Sequence, residues 1–272
     1  MSWIALRVTP ESNRDGVIAA LFKAGSQGVQ EDGDSVVTHF PSDALISDIS
    51  HLIKSADPHA DISIGESSDI DFSEWRGTVA PQRLGDLVVS PPWRATEFES
   101  TRTIVIEPGM AFGTGEHQTT RGVLRLMQGV IRDGDVVADL GAGSAVLSIA
   151  AIKLGAARVA AVEVDYDSIG NAEENIHLNR CCSKIEVIEG DANTLLPLLA
   201  PVRVVLANII SSVLIPMLPT IRSALAPDGQ VILSGFLVDE RDQILAAIEE
   251  NGFVREREDT EDAWWSVQIA LQ

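Results

Sequence analysis

One glycine-containing segment has residue types that fit the binding of a small ligand. It reads Asp139-Leu-Gly-Ala-Gly-Ser-Ala145, follows a short apolar run and opens an apolar stretch. Glycines at a strand-to-helix turn let the backbone approach a ligand closely, and the N-terminus of the following helix is electropositive. The dinucleotide fingerprint needs a third glycine where Val146 stands, so pyrophosphate binding is disfavoured. The acid before Gly141 and Gly143 instead favours a cofactor that joins an amino acid to a nucleoside, S-adenosylmethionine; the alternative is a tight turn without a ligand.

Two acidic residues follow the next predicted strands. Glu163 ends the second strand, where a carboxylate can accept hydrogen bonds from both ribose hydroxyls of a nucleoside. Asp165 and Asp167 compete for this role, and one of them also fits a helix cap. Asp191 follows the third strand, where it can reach an adenine amino group, with a plain turn aspartate as the alternative.

Asn208 ends the fourth predicted strand, in the segment Val-Leu-Ala-Asn-Ile-Ile that begins at residue 205. A side-chain amide there would point into the cleft beside a transferable methyl group, and its oxygen could accept a hydrogen bond from an incoming amine. The alternative role is a helix cap.

The most distinctive segment is Glu107-Pro-Gly-Met-Ala-Phe-Gly-Thr-Gly-Glu-His-Gln-Thr-Thr120. Its two close glycines, threonines and histidine stand before an apolar helix, and this composition allows a flexible lid or a phosphate loop. It is not a P-loop, because no Gly-Lys-Ser/Thr follows. His117 and Glu116 could assist a proton transfer, although a structural hydrogen bond is the simpler role for the histidine.

Composition limits the classes of protein that this chain can represent. Its 272 residues are 45% apolar and 22% charged, which predicts a globular protein of one large or two smaller domains. The net charge of −20 disfavours nucleic-acid and anionic-lipid partners and suits a basic partner. Two adjacent cysteines and five scattered histidines predict neither a disulfide framework nor a metal site. We expect a cytoplasmic monomer, because neither a signal peptide nor a membrane-spanning run is present.

The first 66 residues predict a small α+β domain. Apolar periodicity predicts the order β-α-β-β-α-β, which is the ferredoxin-like arrangement. The predicted strands and helices cover, in chain order, residues 3–8, 13–24, 29–31, 35–40, 44–56 and 60–64. This domain shows no catalytic cluster, so we interpret it as a recognition module, followed by a linker over 67–98.

Residues 99–272 alternate strands and helices, which predicts a doubly wound, mostly parallel sheet of seven strands in a Rossmann-like domain. A helix that contains Leu214 and Leu218 is predicted to be broken by Pro216 and Pro219. The predicted strands are 136–140, 158–163, 184–188, 203–207, 230–233, 253–258 and 264–271, and the other predicted helices are 144–154, 168–179 and 239–251. The last two strands follow one another without a helix, which predicts a closing antiparallel hairpin.

Three of these motifs together resemble one protein family. The segment from Glu107 to Thr120 is similar to the signature loop of the ribosomal protein L11 methyltransferases of the PrmA type. Asp139-Leu-Gly-Ala-Gly-Ser and Val205-Leu-Ala-Asn-Ile209 match family motifs in order and spacing, as do later segments at 233–237 and 261–265. The resemblance covers nearly the whole chain, since this family also has a small ferredoxin-like amino-terminal domain and a linker.

The resemblance implies a class I methyltransferase that uses S-adenosyl-L-methionine. Its substrate would be the basic protein of the ribosomal stalk base, modified on lysine side chains or the α-amino group. The family's cofactor positions fall on Thr120, Gly141, Glu163 and Asn208, and Thr120 is implied by the resemblance alone.

This sequence departs from the family pattern at several positions. Ala145 stands where a glycine is usual, Glu163 replaces the commoner aspartate, Tyr166 replaces a proline, and Glu116 adds an acid to the loop. Two alternatives therefore stay open: a methyltransferase for a small molecule or another protein on the same scaffold, and a non-catalytic homologue, which Ala145 favours. A nicotinamide-dependent oxidoreductase is disfavoured by Val146.

Overall fold

The computed structural model describes residues 3–26, 30–41, 44–66, 79–107 and 113–272. Contacts within the chain divide it into two compact units, 1–79 and 80–272. In the part of the chain that is described, no helix combines the length and the apolar character that crossing a membrane requires.

The first unit is an antiparallel sheet with two helices. Its elements are β1 (Trp3–Thr9), α1 (Arg14–Lys23), β2 (Gln30–Asp32), β3 (Ser35–Pro41), α2 (Ile46–Ala56) and β4 (Asp61–Glu66). The strand order β2-β3-β1-β4 confirms the ferredoxin-like prediction. Position 29, which was predicted to begin the second strand, lies outside the described residues.

The core of the first unit is formed by apolar side chains that repeat every second residue on the strands and every fourth residue on the helices. Leu6 and Val8 of β1 are fully buried, as are Val17 and Leu21 one helical turn apart on α1. Asp57, which follows α2, accepts hydrogen bonds from the backbone N–H groups of 11, 12 and 13, and so fixes the chain where it enters α1.

The second unit begins with a three-stranded sheet of order β5-β6-β7. Its elements are β5 (Gln82–Leu84), β6 (Leu87–Ser90), a 3₁₀ helix (Pro92–Glu97) and β7 (Thr103–Val105). Part of the segment predicted as a linker therefore forms strands, while 67–78 lies outside the described residues. The limits of the predicted domains stay a prediction.

A seven-stranded sheet forms the centre of the second unit, with the order β10-β9-β8-β11-β12-β14-β13. The elements are α3 (Gln118–Met127), β8 (Val136–Leu140), α4 (Val146–Lys153), β9 (Arg158–Glu163), α5 (Tyr166–Leu178), β10 (Ile185–Glu189), α6 (Ala192–Leu199), β11 (Val202–Asn208), α7 (Ser211–Ala224), β12 (Leu225–Leu237), a 3₁₀ turn (Val238–Glu240), α8 (Arg241–Glu250), β13 (Phe253–Glu261) and β14 (Trp264–Leu271). Neighbours from β10 to β12 are parallel, and β14 pairs antiparallel with β12 and β13. This arrangement confirms the predicted fold class.

Two helices differ from the sequence prediction. The predicted break at Pro216 and Pro219 is wrong, because α7 continues through both prolines. Each proline removes one backbone donor, but the buried side chains of Leu214, Met217 and Leu218 keep the helix packed on the sheet. The helix α6 was not predicted, since Pro197 interrupts its short apolar pattern.

Candidate active site

Strand register brings three of the predicted residues to one edge of the sheet. Leu140 of β8 lies opposite Val162 of β9 and Ala207 of β11. Gly141, Glu163 and Asn208 each come one residue later, so they lie side by side beyond the carboxyl ends of three adjacent strands. The chain leaves β8 towards β9 on one side, while β11 lies on the other, and such a switch point is where open α/β sheets bind ligands.

The turn after β8 requires glycine at its first position. Gly141 has a φ of 71°, and a Cβ there would lie 2.6 Å from Cγ2 of Ile209. The backbone N–H groups of Gly141 and Ala142 donate to the carbonyl of Val162, at 2.9 and 3.1 Å. The turn is thus held against both neighbouring strands and leaves no room for a side chain at 141.

Ala145 retains the backbone conformation that a glycine would favour. Its φ of 64° and ψ of 18° are left-handed, and it stands immediately before α4 without a side-chain cap. A left-handed alanine costs about 1–2 kcal/mol. The departure from the family's glycine therefore leaves the turn in its left-handed form.

Three backbone donors fix the carboxylate of Glu163, which is 7% exposed. Oε2 accepts from the N–H of Gly143 at 2.8 Å, and Oε1 accepts from those of Val164 and Asp165 at 2.8 and 2.9 Å. A carboxylate offers about four acceptor sites, so capacity remains for a further donor such as a hydroxyl.

The aspartates after β9 and β10 serve as helix caps. Asp165 accepts from the N–H of Asp167 at 3.1 Å and from the hydroxyl of Ser168 at 2.8 Å at the start of α5. Asp191 accepts from the N–H and the hydroxyl of Thr194 at the start of α6, at 2.8 and 2.9 Å. Contact between the exposed Asp191 and an adenine stays a prediction.

The side chain of Asn208 joins the end of β11 to α3. Its Nδ2 donates to Oγ1 of the fully buried Thr120 at 3.3 Å. Among the described residues, nothing donates to its buried Oδ1. It does not cap a helix, because α7 begins after Ile210. A buried acceptor of this kind costs free energy unless a ligand donates to it.

His117 is held in place at the start of α3. Its Nδ1 lies 2.8 Å from Oγ1 of Thr119 and accepts from the N–H of the same residue at 3.3 Å, while its ring packs 4.7 Å from that of Trp264. Burial lowers the pKa of His117, and the positive charge of Arg121 lowers this pKa further. These contacts fit the structural role; Glu116 is exposed, and residues 108–112 of the signature loop lie outside the described residues.

Ion pairs between α3 and β13 were not predicted from the sequence. Arg125 contacts Asp259 at 2.5 and 2.8 Å and Glu261 at 2.8 Å, and Arg121 pairs with Glu261. The hydrogen bonds to Asp259 and Glu261 raise the pKa of Arg125 above its usual range. The signal in the sequence was an i, i+4 arginine pair on the helix that carries Thr120, together with alternating acids on a strand.

Asp139 is the acid before the glycines that favours S-adenosylmethionine in the sequence, but its burial was not predicted. It is fully buried, and Oδ2 accepts from the Ser148 hydroxyl at 2.6 Å, while nothing in the described chain donates to Oδ1. Burial raises its pKa to about 6, and the nearby charge of Glu163 adds to this. No group of three or more His, Cys, Asp or Glu side chains within the described ranges could hold a metal ion.

The residues at this edge fit a cofactor with a nucleoside and an amino acid. The turn at Gly141 and Gly143 allows close backbone approach, Glu163 can accept a further hydroxyl, and Asn208 offers a buried acceptor without a donor. The arrangement can therefore bind a nucleoside at β8 and β9 and orient an amine beside β11.

Comparison with known proteins places this chain among methyltransferases. The family model for "Ribosomal protein L11 methyltransferase (PrmA)" matches residues 20–272. A ribosomal protein L11 methyltransferase from Lacticaseibacillus paracasei is 30% identical over 92% of this chain and 92% of its own length. One from Enterococcus faecalis is 32% identical, over 87% of this chain and 79% of the relative.

Solved structures agree with the fold. The crystal structure of a ribosomal protein L11 methylase from Lactobacillus delbrueckii subsp. bulgaricus has a TM-score of 0.62 and 30% identity, and the match covers 71% of this chain and 100% of that one. A precorrin-6y C5,15-methyltransferase from Geobacter metallireducens, with 19% identity and a TM-score of 0.51 over 58% of this chain and 92% of its own, shares the fold.

Proposed function

This chain belongs to the family of ribosomal protein L11 methyltransferases (PrmA), and we propose that it methylates amino groups of ribosomal protein L11 with S-adenosylmethionine as the donor. The acceptors we propose are lysine side chains and the α-amino group. The observation that carries the proposal is the alignment of Gly141, Glu163 and Asn208 at one edge of the sheet, with Oδ1 of Asn208 buried and without a donor among the described residues.

Six residues would hold the cofactor in this proposal. Gly141 and Gly143 provide backbone at the turn, and Glu163 accepts from the ribose. Asp191 would reach the adenine, and Thr120 supports Asn208 through their 3.3 Å hydrogen bond. When bound, S-adenosylmethionine supplies a methyl group that its sulfonium centre has already activated.

The protein's task is then alignment of the acceptor. A lysine amine has a pKa near 10.4, so it must lose a proton before it can attack. Oδ1 of Asn208 can accept a hydrogen bond from the neutral amine and so direct its lone pair. His117 is committed to Thr119, so we propose that water takes the proton. Alignment of two reactants alone can lower a barrier by several kcal/mol.

Charge supports a basic protein as the acceptor. The chain carries 40 acidic and 20 basic residues, and this excess attracts cationic partners. We propose that the ferredoxin-like unit is the docking element for the ribosomal protein, and that the enzyme acts in the cytoplasm as a monomer without direct contact to nucleic acid.

The decisive experiment is to incubate the purified chain with methyl-labelled S-adenosylmethionine and L11, and to map the product by mass spectrometry. Methyl groups on lysines or on the α-amino group are the expected result. If calorimetry shows that the cofactor binds but no methyl group reaches L11, S-adenosylmethionine remains the proposed donor and L11 is rejected as the acceptor. Absence of binding would favour a non-catalytic homologue.

A variant series tests the role of Asn208 in the same assay. Asn208→Ala should lower kcat by about 100-fold, the scale expected when a reactant loses its alignment. Asn208→Asp keeps an acceptor oxygen and should recover part of that rate. Equal rates in the wild type and in Asn208→Ala would reject the assigned role.

A further inference from the structure

A chain of hydrogen bonds connects the glycine turn to both flanks of the signature loop through one buried asparagine. Oδ1 of Asn175 on α5 accepts from the N–H of Glu107 at 2.8 Å, and its Nδ2 donates to the carbonyl of Ser144 at 3.0 Å. The hydroxyl of Ser144 then donates to the carbonyl of Gly113 at 2.7 Å. We call these three hydrogen bonds the Asn175 relay.

Burial makes the relay costly to break. Asn175 is 0% exposed and Ser144 1% exposed, so water cannot replace a lost partner without rearrangement. An unpaired polar group in such a place costs about 1–3 kcal/mol. The relay needs a side chain that donates and accepts at once, which the amide of asparagine provides.

The relay acts on the residues that bind the cofactor in the proposed function. Ser144 immediately follows Gly143, whose N–H donates to Glu163, and Ser144 precedes the left-handed Ala145. A shift of the Ser144 carbonyl would therefore displace the Gly143 donor and the Glu163 carboxylate together.

We propose that Asn175 is a positioning residue for the cofactor site, which it supports through Ser144 without contact to the reacting atoms. This inference rests on the proposed use of S-adenosylmethionine at the glycine turn. It goes beyond the family resemblance, which assigns cofactor positions only to Thr120, Gly141, Glu163 and Asn208.

The same helix offers a matched control, one turn further on. Asn179 is 7% exposed, and its amide accepts from the N–H of Val105 at 2.9 Å and donates to the carbonyl of Val105 at 2.6 Å. It also donates to the backbone carbonyl of Asn175 at 2.8 Å. Asn179 therefore resembles Asn175 in burial and chemistry, but its partners lie on β7 and on the backbone of α5, and not in the glycine turn. Asn175→Leu and Asn179→Leu remove the same amide with little change of size, so both should lower Tm to a similar extent.

The experiment measures the Kd for S-adenosylmethionine by calorimetry at a temperature at which every variant is folded. Asn175→Leu should weaken binding about tenfold, whereas Asn179→Leu should stay within twofold of the wild type. Hydrogen exchange of the amides in 141–146 should rise only in Asn175→Leu. At saturating cofactor, kcat and the KM for the acceptor should stay within twofold.

A second variant keeps the test decisive if Asn175→Leu does not fold. Ser144→Ala removes the bond to Gly113 and the long 3.4 Å bond from the N–H of Val146, and it leaves the bond from Asn175 to the Ser144 carbonyl in place. It should weaken cofactor binding by a few fold, and the added effect should be smaller in the Asn175→Leu background because both residues act in one relay. Equal losses of affinity in Asn175→Leu and Asn179→Leu would overturn the inference, as would wild-type affinity in both Asn175→Leu and Ser144→Ala. If the wild type itself does not bind the cofactor, the proposed function fails as well, and the two failures are thereby distinguished.

Discussion

The two edges of the seven-stranded sheet differ in what they offer a ligand. The amino edge has a cavity of about 450 Å³, whose lining includes Val136, Arg158, Cys182 and Lys184. The carboxyl edge has instead a constrained glycine turn, an oriented carboxylate, and the Asn208 oxygen for which the described chain has no donor. In this protein the constrained backbone and the unpaired polar atoms indicate a ligand site at the carboxyl edge. Cavity volume alone would indicate the amino edge instead.

The largest expected effect on cofactor binding comes from a comparison of two glycine turns, one on either side of β8. Gly134 and Gly141 both have positive φ, of 89° and 71°, so alanine is strained at either position. A Cβ at 134 would meet nothing within 4 Å, whereas one at 141 would lie 2.6 Å from Ile209. Gly134→Ala should lose about 1–2 kcal/mol of stability from backbone strain alone, and Gly141→Ala should lose more because of its contact with Ile209. Gly141→Ala alone should weaken cofactor binding more than 100-fold, because the turn must move.

Calorimetry on the two variants decides this prediction, with Gly134→Ala expected to bind within twofold of the wild type. Comparable losses of affinity in both variants would contradict the prediction that only the carboxyl edge binds the cofactor.

The pH dependence of stability, to which the buried Asp139 contributes, gives a second comparison of the two edges. Burial raises its pKa from 3.8 to about 6, so between about pH 4 and 6 the folded chain binds more protons than the unfolded chain. Stability contributed by this group is therefore lost as the pH rises through that window. Asp139→Asn should remove the loss and stabilise the protein by about 2–3 kcal/mol at pH 7.

The control is Asp135, which precedes β8 and accepts from the N–H of Arg132 at 2.8 Å beside Arg203. Asp135→Asn should destabilise the chain at pH 7, opposite in sign to Asp139→Asn. Chemical denaturation of both variants at pH 4, 5, 6 and 7 gives the comparison. A wild-type-like pH dependence in Asp139→Asn would show that this carboxyl does not titrate in the window.

The smallest effect is expected at the cavity of the amino edge. Cys182 is exposed there, with its Sγ 3.9 Å from Nδ1 of His177. Cys182→Ser should change stability by less than about 0.5 kcal/mol, as surface substitutions usually do. It should leave the Kd for S-adenosylmethionine unchanged by calorimetry; a change above fivefold would move the binding site towards this edge.

Local sequence patterns were sufficient for the parts of the site that depend on strand ends. Glu163 and Asn208 each follow an apolar run, and parallel pairing necessarily brings such ends to one edge. The contacts that position them were not predictable in this way. Glu107 and Asn175 are 68 residues apart, and Arg125 and Asp259 are 134 apart, so no periodicity relates them.

Proline caused the errors in the helices, for a related reason. The sequence shows the prolines of α6 and α7, which disfavour a helix locally. It does not show the tertiary packing that compensates this cost in the folded protein. Leu196 and Leu218 are fully buried, and their burial depends on neighbours that lie elsewhere in the sequence.

The position of β14 between β12 and β13 has a consequence for synthesis on the ribosome. β13 is made before β14, yet β14 is its neighbour in the sheet, so β13 must wait for the later strand before it can join. Arg125 on α3 in turn depends on Asp259 and Glu261 of β13 for its ion pairs. The helix that carries Thr120 therefore acquires these ion pairs only after the ribosome has made β14, which comes more than a hundred residues later in the chain.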